Sequence, residues 1–400
     1  MNHRTNIRHI LCRSMIIGCL SCSMSLSGMT AAFVYAGSAD ELISAAPAPG
    51  PASESSPGTS SAGPGSEASA QTSQAADLSY YNQVLADPIV KPVDKYSYEQ
   101  MEQDLMALSS RYPGKVSVNS IGQSLDGRNI YDVVIGNPQA PKKLLIQGAI
   151  HAREYIVVPL MMQQMEYLLA GYDSGTYQNI PLSSVLSQVA IHFVPMVNPD
   201  GVAISQLGES GLHSEELRAG LQAIYAMDTA AGRTSLDYGQ YLTRWKANAR
   251  GVDLNYNFDA KWAEINPGQV CGSSNGYKGV SPLSEPESQA LAALIQQTGF
   301  SATISYHAMG RVLYWDTEGN QKAAESYDMA VTAGSVTGYS VLNSHGVGGM
   351  KDWTQKALAI PGITIEVGRS ICPVAFSEYP AIWEQNKAIP ALFAQYVLTH

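Results

Sequence analysis

From Val116 onward, short runs of aliphatic and β-branched residues alternate with longer stretches whose apolar residues recur every three or four positions. That alternation leaves few options, because strands separated by helices pack as layers around a largely buried sheet. The strand-like runs are Val116 to Ile121, Ile130 to Ile135, Leu144 to Ile146, Val189 to Val197, 302–306 and 362–366. Helical patterns cover 156–170, with Pro159 tolerated in the first turn, then 286–297 and 322–337. An earlier helix opens at Ser97, with Gln100 at the capping-box spacing, and places Tyr98, Met101, Leu105 and Leu108 on one face. Pro113-Gly114 stops it. The expectation is an α/β fold whose order begins near Tyr80 and is firm by Tyr96; no internal repeat is visible.

The first 77 residues do not share this pattern. Arg4, Arg8 and Arg13 precede an uncharged, mostly apolar stretch from Met15 to Val34, and Val34-Tyr35-Ala36 resembles a small-residue cleavage site. Residues 1–36 are therefore expected to be an export signal. The competing reading, a short transmembrane anchor, is disfavoured by the Ser and Gly that dilute the stretch. A lipoprotein box ending at Cys19 would have too short an apolar run before it. Residues 37–77 are dominated by Ala, Ser, Pro and Gly without an aromatic residue, a composition that cannot bury enough surface to offset chain entropy. They are expected to be a linker, with the catalytic domain at 78–400. A secreted protein, extracellular or in the cell envelope, is the expected location.

The whole chain carries a formal charge of −10; without residues 1–36 it keeps 21 basic against 34 acidic residues, or −13. An acidic protein is a poor partner for nucleic acid or for anionic membranes. No later segment is long and apolar enough for stable membrane insertion after signal removal. Cys12, Cys19 and Cys22 lie in the signal, so only Cys271 and Cys372 remain. Outside the reducing cytoplasm they either pair or persist as two free, buried thiols, and they do not make a zinc ribbon.

Four segments carry chemistry. In LLIQGAIHAREY, residues 144–155, an apolar strand runs into His151 and Glu154, a spacing that can bind one zinc ion with a third, distant ligand. In ATISYHAMGRVLYW, residues 302–315, His307 follows a strand; alone it would be a packed core histidine, but a preceding His-x-x-Glu changes that reading. In PGITIEVG, residues 361–368, Glu366 ends an apolar strand, where a carboxylate is costly unless paired or functional. Such surroundings are expected to raise its pKa and suit a general base. In RWKANARGVDLNYNF, residues 244–258, anion- and amide-binding side chains crowd together, and Val252 and Leu254 alternate with Asp253 and Asn255 as in a buried strand.

These segments in this order closely resemble the zinc carboxypeptidases of the carboxypeptidase A type. The resemblance spans roughly 94–400 and includes VPMVNPDGV at 194–202, PLSEPES at 282–288 and GGMKDW at 348–353. It implies a mixed, mostly parallel central sheet with helices on both faces. It also implies one zinc ion per chain, held by His151, Glu154 and His307. Asp253 would fix the tautomer of His151, and Glu366 would take a proton from the attacking water and pass it to the leaving amine. Asn198-Pro199-Asp200-Gly201 would be a structural turn near the site, and His192 a packing residue.

Three departures from the family pattern bear on substrate. Where the family has an oxyanion-stabilising Arg, counting back from Asn255 gives Lys246, with Arg250 as the alternative. Where the family clamps a terminal carboxylate with Asn-Arg, this chain has Asn255-Tyr256. The mobile substrate-capping tyrosine falls at Ser344, beside His345, and Lys351 stands where the family tunes its specificity pocket. A lysine there would favour an acidic group; the ordinary reading is a solvated lysine before Asp352-Trp353. These departures look like the bacterial subgroup that cleaves γ-D-glutamyl-diamino-acid bonds in peptidoglycan stem peptides. Two alternatives are a secreted carboxypeptidase for ordinary peptides and an inactive wall-binding module. A monomer acting on a peptide or stem-peptide substrate is expected.

Overall fold

The computed structural model describes residues 79–266, 268–343 and 348–400. The expected signal, the linker, Ser344 and His345 lie outside the described residues. Among the described residues there are ten strands: β1 (Val116–Gln123), β2 (Asn129–Gly136), β3 (Lys142–Gly148), β4 (Thr176–Tyr177), β5 (Ile180–Pro181), β6 (Val189–Val194), β7 (Ala302–Ala308), β8 (Val312–Tyr314), β9 (Ser340–Leu342) and β10 (Gly362–Val367). β4 and β5 form a separate two-stranded ladder; the others make one eight-stranded sheet in the order β1-β2-β6-β3-β7-β10-β8-β9. β6, β3, β7 and β10 run parallel to one another at its centre, with antiparallel pairing at β1/β2, β2/β6 and β10/β8. The fold is thus the mixed, mostly parallel α/β architecture expected.

Strand periodicity of two sorts the core into layers. Leu144, Ile146, Ile304, Tyr306, Ile363 and Ile365 share the large core with Leu105, Met161, Met165, Met329 and Phe393 of helices Tyr98–Arg111, Val157–Ala170, Ala323–Thr337 and Ile389–Thr399. Leu145, one residue out of phase, packs on the other face with Leu291 and Ile295 of helix Pro286–Thr298 and with Met350 and Trp353 of helix Met350–Ala357. Ser97 Oγ accepts the Gln100 backbone N–H at 3.2 Å, as its capping position predicts. None of the described helices is long and apolar enough to cross a membrane.

Two local expectations are corrected. The strand read at Val189 to Val197 ends at Val194, because Val197 and Asn198 turn to donate their N–H groups to the carbonyls of Gly148 and Ala149. Residues 252–255 are not a strand: Leu254–Asn257 is a 3-10 turn, and Val252 and Leu254 are buried by loop packing. Cys271 and Cys372 are not joined in a disulfide, and only Cys372 is buried, its Sγ donating to the carbonyl of Arg153 at 3.2 Å.

Candidate metal centre and active site

The carboxyl ends of β3, β7 and β10 lie side by side, which is where parallel sheets place functional side chains. Gly148 closes β3, and any Cβ there would meet Val157 Cγ2 at 2.8 Å and Met161 Sδ at 2.9 Å. The tight exit leads into a 3-10 turn, Ala152–Glu154, which brings His151 and Glu154 onto one side. His307 comes from the last turn-ward residues of β7, on the face opposite Ile304 and Tyr306.

The three expected ligands meet. His151 Nδ1 lies 2.8 Å from Glu154 Oε1, and His307 Nδ1 lies 2.9 Å from Glu154 Oε2 and 3.1 Å from His151 Nδ1. All three residues are buried. His151 Nε2 faces Asp253 Oδ1 at 3.3 Å, so a proton on Nε2 would point toward that carboxylate and leave Nδ1 as the lone-pair side toward Glu154 and His307. Two imidazole lone pairs and a carboxylate converging in a buried space repel one another unless a cation lies among them. Two His and one Glu is a donor set suited to one zinc ion, and among the described residues this is the group of three that could hold a metal. Burial works to raise the Glu154 carboxyl, but His151 and His307 hold it well below the usual carboxylate range. Burial likewise works to lower His151, and Glu154 and Asp253 outweigh it, so its pKa is raised.

Loop 244–258 brings the next set of residues to this centre. Its strap is stitched at both ends: Ala152 N–H donates to Lys246 O, Lys246 and Ala247 N–H donate to Ser274 O, and Asp253 N–H donates to Tyr277 O. Lys246 Nζ lies 3.6 Å from Asp253 Oδ2, which also accepts Gly276 N–H at 3.2 Å. Burial would strip the charge from Lys246, but Asp253 overcomes it and the ammonium stays protonated. Asp253 in turn is held far below the ordinary range, burial notwithstanding, by Lys246 and His151.

The structure separates the two basic residues that the sequence left open. The turn at Gly251, with φ +77° and Ile224 Cδ1 and Ser273 N each 2.9 Å from any Cβ, lies between Arg250 and Asp253. Arg250 is more than half exposed, and its Nε is 3.9 Å from Glu285 Oε2, so the reading of Arg250 as an oxyanion residue is corrected. Lys351 is a second correction. Its ammonium is neither solvated nor presented to a ligand: it is 6 % exposed and donates to Asp316 O (2.8 Å), Asp352 Oδ1 (2.7 Å) and Gln355 Oε1 (3.5 Å). Three donors meet three internal acceptors. Asn255 and Tyr256 are half-buried, with Asn255 Oδ1 accepting Met350 N–H at 3.1 Å. Glu366, half-buried on β10, is in register with His307.

Sequence reasoning placed Asn198 in a structural turn near the site but missed its bridging role. Its Nδ2 donates to Ile150 O (3.2 Å) and Ala247 O (3.0 Å), tying the residue before His151 to the residue after Lys246, while its Oδ1 caps helix Pro199–Leu207 through Gly201 N–H. The Asn-Pro pair marked a turn, which gave no hint of a bridge between two distant loops. His192 is buried as expected, but its Nδ1 also pairs with Asp132 at 2.9 Å.

A family model described as zinc carboxypeptidase matches residues 101–388. Gamma-D-glutamyl-L-diamino acid endopeptidase 1 of Lysinibacillus sphaericus is 33% identical over 306 residues, covering 75% of this chain and 72% of that one. The crystal structure of thrombin activatable fibrinolysis inhibitor is similar with a TM-score of 0.61 at 20% identity, over 78% of each chain. Carboxypeptidase A from Helicoverpa armigera is similar with a TM-score of 0.56 at 18% identity, over 78% of this chain and 77% of that one.

Proposed function

This chain belongs to the zinc carboxypeptidase family and is a zinc metallopeptidase, and we propose that it is exported and hydrolyses the γ-D-glutamyl–diaminopimelate bond of peptidoglycan stem peptides. The observation that carries this reading is the 33% identity, across most of both chains, to an endopeptidase named for γ-D-glutamyl-L-diamino acid bonds. Tyr256 supports it: a phenol stands where a guanidinium would clamp the terminal carboxylate of an ordinary peptide, so the charge-assisted fork is gone.

The residues divide the work as follows. Zinc, when bound by His151, Glu154 and His307, supplies Lewis acidity to the scissile carbonyl and acidifies water. Glu366 accepts the proton of the attacking water and returns it to the departing amine. Lys246, kept charged by Asp253, faces the negative charge that develops on the carbonyl oxygen. Asp253 holds the His151 ring in the tautomer that turns Nδ1 inward. Asn255 and Tyr256, at the position where the family clamps a substrate carboxylate, would contact the substrate.

The test is incubation of the zinc-loaded protein with L-Ala-γ-D-Glu-meso-diaminopimelate, and separately with hippuryl-type peptides, read by mass spectrometry. Chelator-sensitive release of L-Ala-D-Glu and diaminopimelate is expected. Equal or faster cleavage of the hippuryl peptides would sink the stem-peptide reading. Export is tested by sequencing the amino terminus of the protein recovered outside the cell, which should begin at Gly37.

A further inference from the structure

Lys246 and Asp253 reach the metal centre from a loop outside the sheet, and a second segment, 273–277, docks that loop. The segment has neither helix nor strand of its own. Ser274 O accepts the N–H groups of Lys246 (2.9 Å) and Ala247 (3.0 Å), and Ser273 N–H donates to Gly251 O at 3.0 Å. Gly276 N–H donates to Asp253 Oδ2 at 3.2 Å, and Asp253 N–H donates to Tyr277 O at 2.7 Å. Ala152 and Asn198 also hold the loop at Lys246 O and Ala247 O. The docking segment, having no ladder or helix to fix it, needs anchors of its own.

Its carboxyl end is held at Lys278 O, which accepts Asn257 Nδ2 (2.9 Å) and Trp262 Nε1 (3.0 Å). Its amino end is held by Asp228, a 1 % exposed residue near the end of helix Glu215–Ala230. Asp228 Oδ2 accepts Tyr241 OH (2.6 Å), Ser273 Oγ (2.7 Å) and Ser274 N–H (3.3 Å). Its Oδ1 accepts Arg233 Nη1 at 2.7 Å. An acid in the last turn of a helix meets the negative end of the helix dipole, an unfavourable place for it. Here the converging donors offset that cost, and because they suit an acceptor-only group they favour the ionised carboxylate. Among the described residues, these hydrogen bonds touch no zinc ligand and neither Lys246 nor Glu366; they reach the centre through Ser273 and Ser274.

We propose that Asp228 is a positioning residue for the peptidase: by fixing Ser273 and Ser274 it sets where Lys246 stands against the carbonyl oxygen of the substrate. The proposal rests on the reading of Lys246 as the group that faces the developing negative charge. Ser274 O holds the backbone N–H groups of Lys246 and of the residue after it, so a shift of Ser274 is passed to the base of the Lys246 side chain. A donor displaced by about an ångström loses much of its effect on the transition state while ground-state binding changes little, so the loss falls on kcat.

The test compares wild type, Asp228→Ala and Asp228→Asn as zinc-loaded full chains. Asn keeps one oxygen for Tyr241, Ser273 and Ser274 and gives up Arg233, so it should lie between the other two in every readout. The first readout needs no substrate. Hydrogen exchange of a peptide reporting 246–253 should rise about tenfold in Asp228→Ala, the factor expected for loss of a charge-assisted hydrogen bond, with β7 exchanging as in the wild type. A rise of equal size in β7, or no rise at 246–253, would overturn the proposal. The second readout is a double-mutant cycle on the stem peptide, or on the hippuryl peptide if only that is cleaved. Asp228→Ala should lower kcat by up to about 10²-fold with a smaller change in KM and unchanged metal content. In a Lys246→Ala background the same change should lower kcat by less than about threefold, because sites acting through one group are not additive. The cycle is run with Asp228→Asn as well, so it stands even if Asp228→Ala does not fold. Equal losses in both backgrounds would overturn the proposal alone. An unchanged kcat in Lys246→Ala would sink the reading of Lys246 and the proposal with it.

Discussion

Glu366 on β10 and His307 on β7 are paired in register across parallel strands, so their side chains leave the same face of the sheet at its carboxyl edge. The register places a carboxyl group beside a zinc ligand without any loop in between, and rigid placement is what proton transfer requires. Glu366→Gln should therefore lower kcat by about 10²- to 10⁴-fold. Metal content, read by atomic absorption, should not change, since Glu366 lies on β10 and is not one of the three ligands. Loss of the metal together with activity would assign Glu366 to metal retention instead.

The His151–Asp253 contact predicts a graded effect on metal affinity. His307→Ala removes one of three donors and should abolish both zinc retention and hydrolysis. Asp253→Asn keeps the donors but no longer fixes the His151 tautomer, and should weaken zinc binding by about 10- to 100-fold. Competition with a chelator of known affinity measures both. An Asp253→Asn protein that holds zinc as tightly as the wild type would leave Asp253 with the single task of keeping Lys246 charged.

The metal centre was legible in the sequence because His151 and Glu154 follow one apolar strand run and His307 closes another, and because these motifs in this order resemble a zinc peptidase family; strand ends in a parallel sheet converge. Lys246 and Arg250 could not be told apart, because both lie in one loop whose turn at Gly251 is set by Ile224 and Ser273, residues distant in sequence. Lys351 misled for a related reason. Its neighbours Asp352 and, one helical turn on, Gln355 were visible, but Asp316 O, which completes its hydrogen bonding, became a partner only through packing of helix Met350–Ala357. Asn198 holds backbone carbonyls of two separate loops, and Asn248 ties its own loop to Glu285 and Glu287; no local pattern announces such bridges.

Lys246 makes the third prediction. Its ammonium is paired with Asp253 at 3.6 Å and remains charged despite burial. Lys246→Ala should lower kcat by about 10²- to 10³-fold with a smaller change in KM, as expected for a donor that acts on developing charge. Lys246→Arg keeps the charge and should recover part of the loss, whereas Arg250→Ala should leave kcat near wild type at slightly acid pH. A large loss in Arg250→Ala and none in Lys246→Ala would reverse the assignment.

Glu287 ties stability to pH through its burial. Its folded pKa of about 7 lies above the ordinary 4.5, so the folded chain holds the proton more tightly than the unfolded chain. That contribution is fully present below pH 4.5 and is lost as pH rises through about 7. Two to three pKa units correspond to roughly 3 kcal/mol, an upper bound because Asn248 and neighbouring groups can relax. Glu287→Gln never ionises. Relative to the wild type it should gain up to about 3 kcal/mol between acid and mildly alkaline conditions, whatever its stability at low pH. Urea denaturation at two pH values, one below 4.5 and one above 7, measures that difference. Midpoints of the two proteins that shift in parallel would place the pH dependence on other groups.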